Sequence, residues 1–187
     1  MEDRRIRKTK KAFYNALIEL LRQKKVRNIS IQELCDLADS HRSTFYYHYS
    51  DIYGLYEEME DGVLAGLSSA LIADDSHAYS RMYDEIITRV YKDRAIWGVL
   101  LGSNGDRSFK DKVSRLVEEK YLEIWRFETD RESFSDEFCL LARANVSAFI
   151  TLLTEWLKSG DRYSKDEVKS MLRDMNTAID ALLGKYL

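Results

Sequence analysis

The sequence predicts an all-α protein in which a three-helix N-terminal module precedes a larger helical domain. The 187-residue chain contains no Pro and only 8 Gly, whereas strand-rich proteins use both residue types in frequent turns. Apolar residues recur at helical spacing over most of the chain. Two short helices with a tight turn between them are also indicated near the N-terminus. We therefore divide the chain into residues 1–53 and residues 54–187.

The first helix is predicted to run from about Arg4 to Gln23. Its apolar side chains repeat at helical spacing and form one face, as expected of a helix that packs on a core. The larger members of this face are Ile6, Phe13, Leu17, Leu20 and Leu21. Residues 24–28 interrupt the pattern and indicate a turn.

A capping box begins the second helix. The Ser30 hydroxyl can accept a hydrogen bond from the N–H of Glu33, whose carboxylate can accept one from the N–H of Ser30. Ile29 and Leu34 occupy the two positions of a hydrophobic staple around this cap. The helix is expected to continue to about Ala38.

A tight turn at Asp39 and Ser40 should follow, because Asp tolerates a left-handed backbone better than most residues. A third helix of about two turns is expected to start near His41, with Phe45 facing inward. The residues expected to face outward are Arg42, Ser43, Thr44, Tyr46, Tyr47 and His48. A supporting helix followed by two short ones is a helix-turn-helix, whose second short helix enters the DNA major groove.

The remainder of the chain is predicted to be helical almost throughout. Further helices are expected at about 52–72, 78–92, 94–101, 107–128, 135–158 and 165–185. Polar or Gly-containing segments at residues 73–77, 102–105, 129–133 and 159–161 separate them.

Charge divides the chain into a basic head and an acidic body. Residues 1–53 contain 11 Lys and Arg against 7 Asp and Glu, and residues 54–187 contain the other 18 and 25 of the chain totals. This asymmetry indicates that only the head meets a polyanion. The basic arm around Lys8 is expected to contact phosphate, although a solvated helix face is the ordinary alternative. Lys24, Lys25 and Arg27 are expected to be solubilising surface.

Several classes of protein are disfavoured. No run of about 18 apolar residues is present for a membrane span, and the basic N-terminus lacks the apolar stretch of a signal peptide. Cys35 and Cys139 are far apart, which favours reduced thiols in the cytoplasm. The three His residues lack metal-ligand spacing, and no nucleophile motif or phosphate loop is present. We expect no metal, no cofactor and no enzymatic activity.

The third helix carries the groups best suited to DNA. Arg42 can bond a guanine edge or a phosphate, and Tyr47 can contact phosphates or thymine methyl groups. The full set of expected DNA-binding residues is Lys8, Ser30, His41, Arg42, Ser43, Thr44, Tyr46, Tyr47 and His48. The alternative is an exposed aromatic helix that packs on the second domain.

The segment Leu34–Leu55 resembles the TetR family of bacterial regulators. The most specific part is Thr44-Phe45-Tyr46-Tyr47-His48-Tyr49, and the rest of the chain agrees in length and helical architecture only. Asp51-Ile52-Tyr53 and Gly102–Asp106 resemble the branch related to dihydroxyacetone-kinase activators. The resemblance implies a DNA-binding head joined to a divergent ligand-binding and dimerisation domain.

Three positions depart from the family pattern. Asp39 replaces the usual Gly, which a left-handed turn accepts. Ser40 and His41 replace Val-Ser, so the cap of the third helix is expected to shift to Ser40. Ile52 replaces a Lys that commonly contacts a DNA phosphate. The loss should weaken affinity for the DNA backbone unless arm residues such as Lys10 compensate.

The last two helices carry wide apolar stripes that predict a dimer interface. Two such helices from each subunit can form a four-helix interface. The interface is expected to contain Phe149, Leu153, Trp156, Met171, Met175, Ile179 and Leu182. An ordinary intrachain core is the alternative.

Aromatic residues of the middle helices suggest a ligand pocket. The candidate residues are Tyr83, Tyr91, Trp97, Tyr121, Trp125, Arg143 and Asn145. Aromatic sets of this kind form a core at least as often as a pocket. Arg143 and Asn145 are polar within an apolar helix, so they can orient a ligand or bond across a dimer.

The sequence therefore predicts a cytoplasmic, sequence-specific regulator of transcription. Its partners would be double-stranded DNA, a second copy of the chain and an unknown small-molecule or protein effector, with no membrane. We expect a homodimeric repressor that leaves a palindromic operator when the effector binds. Two alternatives are an activator or adaptor that binds a protein partner, and an enzyme or scaffold without a DNA role.

Overall fold

The computed structural model describes residues 4–73 and 79–187. These residues form nine α-helices and contain no β-strand, so the all-α prediction is confirmed. The helices are α1 Arg4–Leu21, α2 Ile31–Leu37, α3 Arg42–His48, α4 Ile52–Ala73, α5 Tyr79–Lys92, α6 Arg94–Leu100, α7 Arg107–Thr129, α8 Asp136–Lys158 and α9 Lys165–Leu183. Short 3-10 turns lie at Val26–Asn28 and Gly184–Tyr186. The predicted start of α5 at residue 78 lies outside the described residues.

Helices α1 to α3 pack around an aromatic centre that makes the head rigid. The rings of Phe13 and Phe45 meet edge to face with centroids 5.4 Å apart, and both side chains are fully buried. Tyr49 packs on Phe45 at 5.5 Å. Such aromatic pairs stabilise beyond the area they bury, by about 0.5–1.5 kcal/mol. The expected inward position of Phe45 is confirmed.

Helix α4 links the head to the body. Its first turns pack on the head through Ile52 and Leu55, which are 7% and 0% exposed. The Glu58 carboxylate accepts hydrogen bonds from Lys10 Nζ at 3.0 Å and from the Tyr14 hydroxyl at 2.7 Å. The division proposed between residues 53 and 54 therefore falls inside a continuous helix and stays a prediction.

Helices α5 to α9 form the body around a second aromatic core. Helices α7 and α8 are antiparallel neighbours joined by residues 130–135. Tyr83 packs on Phe149 with centroids 4.6 Å apart, and Trp125 packs on Phe138 at 5.2 Å. Helix α8 is long and apolar enough to qualify as a membrane span, yet 44% of that stretch is buried inside the protein, as in a core helix.

The loop between α6 and α7 joins the two parts at a second place. The Asn104 side-chain amide donates a hydrogen bond to the carbonyl of Leu21, at the end of α1, over 2.9 Å. The N–H of Asp106 donates to the Tyr56 hydroxyl of α4 over 3.0 Å. A Cβ at Gly105 would lie 2.0 Å from the carbonyl oxygen of Leu100, so only glycine fits this close approach. The loop is therefore fixed against both the head and α4.

Candidate DNA-binding interface

The turn between α2 and α3 sets the direction of the third helix. Asp39 has a φ of 48°, which confirms the left-handed turn, and the N–H of Ser40 donates to the carbonyl of Cys35 at 3.0 Å. Ser40 thus belongs to the end of α2. The expected cap at Ser40 is wrong, because His41 is the residue with extended backbone before α3 and makes no side-chain cap hydrogen bond.

Helix α3 presents a polar and aromatic face to solvent. Tyr47 is 79% exposed and Tyr46 is 50% exposed, while Phe45 between them in the chain is buried. Arg42, Ser43 and the N-terminal His41 are exposed as well, and Thr44 and His48 are half-buried. Seven of the nine expected DNA-binding residues therefore lie together on one short helix and its cap. The other two, Lys8 and Ser30, lie on α1 and at the start of α2.

Arg42 is held against this face by its neighbour one turn later. Its guanidinium lies 6.0 Å from the centroid of the Tyr46 ring. A hydrogen bond with the Tyr46 side chain raises the pKa of Arg42 above its ordinary value. The side chain is consequently a permanent, fully solvated cation directed along the exposed side of α3.

The N-terminus of α2 is built by the predicted capping box, which is confirmed. The Ser30 hydroxyl accepts from the Glu33 N–H at 3.2 Å, and the Glu33 carboxylate accepts from the Ser30 N–H at 3.0 Å. Lys24 donates to the same carboxylate at 2.6 Å. That hydrogen bond, followed by those from Ser30, lowers the pKa of Glu33 to about 2. Lys24, expected to be plain surface, anchors the cap instead.

The basic arm divides into exposed and engaged residues. Arg4, Arg5, Arg7 and Lys8 are exposed on α1. Lys10 instead turns toward α4, bonds to Glu58 and lies 5.7 Å from the centroid of the Tyr49 ring. Burial alone would raise the pKa of Glu58, but the hydrogen bonds from Tyr14 and Lys10 hold it below its ordinary value. Lys10 therefore supports the fold rather than replacing a missing phosphate contact.

The expected dimer residues fall into two groups. Phe149, Leu153 and Trp156 are at most 2% exposed within a single chain. Phe149 packs on Tyr83 and Trp156 stacks on Tyr91, both of α5, so these residues belong to the core of a single chain. Their place in a dimer interface stays a prediction. The remaining four, Met171, Met175, Ile179 and Leu182, lie at least partly exposed on α9.

Most of the expected pocket residues form the core of the body. Tyr83, Trp97, Tyr121 and Trp125 are at most 6% exposed. Trp97 packs on Phe109 and also borders a small cavity of about 220 Å³. Burial raises the pKa of the Tyr83 and Tyr121 hydroxyls, which therefore remain neutral.

The other three expected pocket residues are Tyr91, Arg143 and Asn145. Tyr91 and Arg143 lie at the surface, and Asn145 is buried in the core. Tyr91 is 47% exposed and stacks on Trp156. Arg143 is exposed and bonds to Glu118 of α7 at 3.2 Å. Asn145 is buried, with its side-chain amide 3.5 Å from the Tyr83 hydroxyl and 3.5 Å from the Asn176 side-chain oxygen. The structure thus places Asn145 among intrachain partners and Arg143 on the surface.

A family model supports the assignment suggested by this geometry. The model described as "Transcriptional regulator C-terminal region", of the TetR group, matches residues 78–178, just over half of the chain. The chain belongs to the TetR family of transcriptional regulators.

Solved structures of TetR-family regulators resemble the whole chain. A TetR transcriptional regulator from Streptococcus agalactiae 2603V is 26% identical, with a TM-score of 0.64 over 91% of this chain and 96% of that one. NalD, the secondary repressor of the MexAB-OprM multidrug efflux pump in Pseudomonas aeruginosa, is 19% identical, with a TM-score of 0.63 over 94% and 97%. The dihydroxyacetone kinase operon activator DhaS is 15% identical, with a TM-score of 0.60 over 95% and 97%. Among curated proteins no match was found.

The start of α4 distinguishes this TetR-family chain from the family pattern. Ile52, in the place of the usual Lys, is buried against the head. The carboxylate of Asp51 accepts a hydrogen bond from the N–H of Gly54 at 3.0 Å and so caps the helix. The residue before Ile52 is therefore an acid whose carboxylate caps α4. The capping role of Asp51 was not predicted from the sequence, although Asp is among the preferred N-cap residues because its carboxylate can accept from the N–H three residues later.

Proposed function

We propose that this TetR-family chain is a cytoplasmic homodimer that binds a palindromic operator and represses transcription until an effector binds. The observation that carries the proposal is the exposed face of α3, where Arg42, Tyr46 and Tyr47 project from a helix anchored by buried Phe45. A rigid short helix with a solvent-facing cation and aromatic hydroxyls has the shape and chemistry of a major-groove reader.

The outer faces of α8 and α9 support a dimer. Leu140 on α8 is 66% exposed and Met171 on α9 is 43% exposed. Small residues such as Ala144 and Ala148 lie exposed on the same helix as Leu140, which would let a second copy approach closely. Two α8 and two α9 helices would then form a four-helix interface, and twofold symmetry would place the α3 helices about 34 Å apart, one turn of DNA.

Selection of genomic DNA fragments by the purified protein tests the operator. At about 150 mM salt, contacts to phosphate alone contribute little, so enrichment reports base recognition. The expected result is a palindrome whose half-sites are one helical turn apart. A folded dimer that enriches no sequence, with or without a cell extract that supplies effectors, would contradict the proposal.

A second candidate is an activator or adaptor whose body binds a protein. Two observations favour it: the aromatic residues expected to line an interior pocket are packed as core, and Phe127 of α7 is 66% exposed, as is Leu140. Deleting the gene distinguishes a repressor from an activator. Transcription from the selected operator should rise if the protein is a repressor and fall if it is an activator.

A further inference from the structure

A groove of about 760 Å³ lies where the head meets the body. It is formed by the end of α1, one face of α6, the loop after α6 and the end of α8. Its lining includes Leu21 and Arg22 of the head, Arg94 and Gly98 of α6, Asn104 of the following loop and Lys158 of α8. This volume is within the range of small-molecule sites, which often lie between domains.

The charged side chains that line the groove are all cationic. Arg22 comes from the head, Arg94 from α6 and Lys158 from α8. Each has an acidic partner that does not line the groove: Glu19 at 2.9 Å, Asp161 at 3.1 Å and Glu155 at 2.8 Å.

These partners leave Arg22 and Lys158, each 53% exposed, available to a ligand, whereas Arg94 also donates to the Gly160 carbonyl and lies 5.5 Å from the centroid of the Trp156 ring. The side chain of Asp161 is fully exposed, and those of Glu155 and Glu19 are 65% and 49% exposed. Ion pairs between exposed side chains contribute little to the free energy of folding, so another anion can readily replace the carboxylate. An anion within the groove would meet the same cations with less intervening water, so it can displace the exposed carboxylates.

Two helix ends border the groove and oppose an anion. The C-terminal carbonyls of a helix carry about half a negative charge in total. Here the carbonyl of Leu21 accepts from Asn104 and that of Trp156 accepts from the Ser159 hydroxyl at 2.8 Å. These carbonyl groups are thus already bonded, which reduces their opposition to an anion beside Arg22 and Lys158.

The groove lining also contains apolar side chains and has room for a ligand body. Leu157 is half-buried and Ala95 is exposed, whereas Leu21 and Val99 lie beneath the surface at 1% and 5% exposure. Gly98 lies on the facing side of α6, and a Cβ built there meets no atom within 4 Å. A site with apolar walls and a cationic rim suits an organic carboxylate better than an inorganic ion.

The groove also touches the contact that joins the two parts of the molecule. Asn104 lines the groove and bonds to the carbonyl of Leu21 at the end of α1. A ligand that contacts Arg22 of the head and Gly98 of the body at once would bind different head positions with different affinity. Such differential binding is what an effector requires.

We propose that this groove is the effector site and that it binds a small organic carboxylate with an apolar body. The proposal rests on the proposed function for its regulatory role, but the binding itself can be measured without DNA. Bound carboxylate is expected to change operator affinity by about 5- to 150-fold, the usual size of allosteric coupling.

The first experiment measures binding in the full-length dimer labelled with ¹⁵N-glycine, whose spectrum contains one backbone signal for each of the 8 Gly. Sodium octanoate and sodium benzoate are the probes, with 1-octanol and inorganic phosphate as matched controls. At about 10 mM probe, a site with a millimolar dissociation constant is mostly occupied. Either carboxylate should shift the signals of Gly98 and Gly102, whereas octanol and phosphate should leave them unchanged.

Variants identify the groove as the site. Gly98→Leu fills it, and Gly62→Leu is the control, because Gly62 also lies on a helix where a Cβ meets no atom within 4 Å. Gly98→Leu should abolish the carboxylate shifts at Gly102, and Gly62→Leu should preserve them. Leucine has a higher helix propensity than glycine, so both variants are expected to fold. Circular dichroism verifies this. The double variant Arg22→Gln, Lys158→Gln should weaken carboxylate binding about tenfold.

Two results would overturn the proposal. The first is an absence of shifts at Gly98 and Gly102 with both carboxylates, or equal shifts with octanol, and it is decided without DNA. The second is carboxylate binding that leaves fluorescence anisotropy titrations of the selected operator unchanged. If no operator is found, the proposed function fails while the glycine spectra still decide whether the groove binds carboxylate.

Discussion

Tyr47 shows how a single exposed side chain can define an interface. It is the most exposed large aromatic residue on α3, at 79%, and its ring contacts His48 edge to face at 5.0 Å. Exposure of so much aromatic surface costs solubility and has no packing benefit within the chain. Its position on the outward face of a helix-turn-helix is the reason we propose that it contacts the DNA groove.

We expect Tyr47→Ala and Arg42→Ala each to weaken specific operator binding at least about tenfold, since one good base contact is worth that much. Both side chains are solvent-exposed, so the dimer and its melting temperature should be unchanged. Fluorescence anisotropy with the selected operator measures the effect. Tyr186→Ala, which removes an exposed tyrosine from the far end of the chain, is the control. Unchanged affinity in both α3 variants would reject α3 as the reading helix.

For individual helices, the sequence predicted local features such as caps. It did not predict which surface each helix packs against. The capping box of α2 depends on residues three positions apart, so the sequence alone specifies it. The stripe of α8 is different, because Phe149 and Trp156 are apolar whether they face another helix of the chain or a second copy. Periodicity reports that a face is buried and does not report against what. The same ambiguity made core aromatics such as Tyr121 resemble a pocket.

A second capping box begins α9, where the Ser164 hydroxyl accepts from the Glu167 N–H at 3.2 Å and the Glu167 carboxylate accepts from the Ser164 N–H at 2.8 Å. The two boxes allow a matched test of α2. Ser30→Ala and Ser164→Ala each remove one cap, and each should destabilise the protein by about 1 kcal/mol. Only Ser30 lies on the head, so Ser30→Ala alone should also weaken operator binding. Urea unfolding and anisotropy titrations provide the two measurements. Equal operator affinity in both variants would show that Ser30 has only a structural role.

The contact between α7 and α9 should make stability depend on pH. Burial raises the pKa of Asp180, although the Tyr121 hydroxyl, 3.2 Å away, partly opposes this. Asp180 also contributes to the raised pKa of nearby Glu128. Burial is the larger cause at Glu128, and both of these carboxyl groups hold their protons more tightly in the folded chain than in the unfolded chain. The stability contributed by the protonated form is complete below the unfolded pKa, about 3.9 for Asp, and is lost as pH rises through the folded pKa.

Asp180→Asn should accordingly stabilise the protein at neutral pH, because it removes the cost of ionising a partly buried carboxyl group. It should also flatten the dependence of stability on pH above about pH 4. Urea unfolding at a fixed protein concentration across this range measures both effects. Asp174→Asn changes an exposed acid on the same helix and is the control. A steeper pH dependence in Asp180→Asn than in the natural chain would contradict the assignment.

On the scale of the whole molecule, the charge asymmetry read from the sequence agrees with the architecture. The basic head carries α3, and the acidic body carries the faces suited to dimerisation. The totals of basic and acidic residues do not show which basic side chains face solvent and which form ion pairs within the chain. Lys8 is exposed, whereas Lys10 is bonded to Glu58 and connects α1 to α4. Only a three-dimensional arrangement distinguishes a cation that meets solvent from one that joins two helices.

Lys8→Gln and Lys10→Gln should therefore have opposite consequences. Lys8→Gln should reduce the slope of log affinity against log salt by about 1, as expected for one lost phosphate contact. Lys10→Gln should leave that slope unchanged and lower the melting temperature, because Glu58 loses a partner. Titrations at several salt concentrations and thermal unfolding measure the pair. A reduced slope for Lys10→Gln would mean that Lys10 leaves Glu58 when DNA binds.

The carboxylate of Asp51 at the start of α4 has a consequence for how the protein is distributed in the cell. If this carboxylate lies near the DNA backbone, its repulsion of phosphate would lower affinity for every DNA sequence alike, while the proposed base contacts of α3 would act only at the operator. A genome offers on the order of 10⁶–10⁹ competing sites, and most copies of a typical regulator are held there. Weaker general binding would leave a larger fraction of copies unbound, so that few molecules per cell suffice to keep an operator occupied.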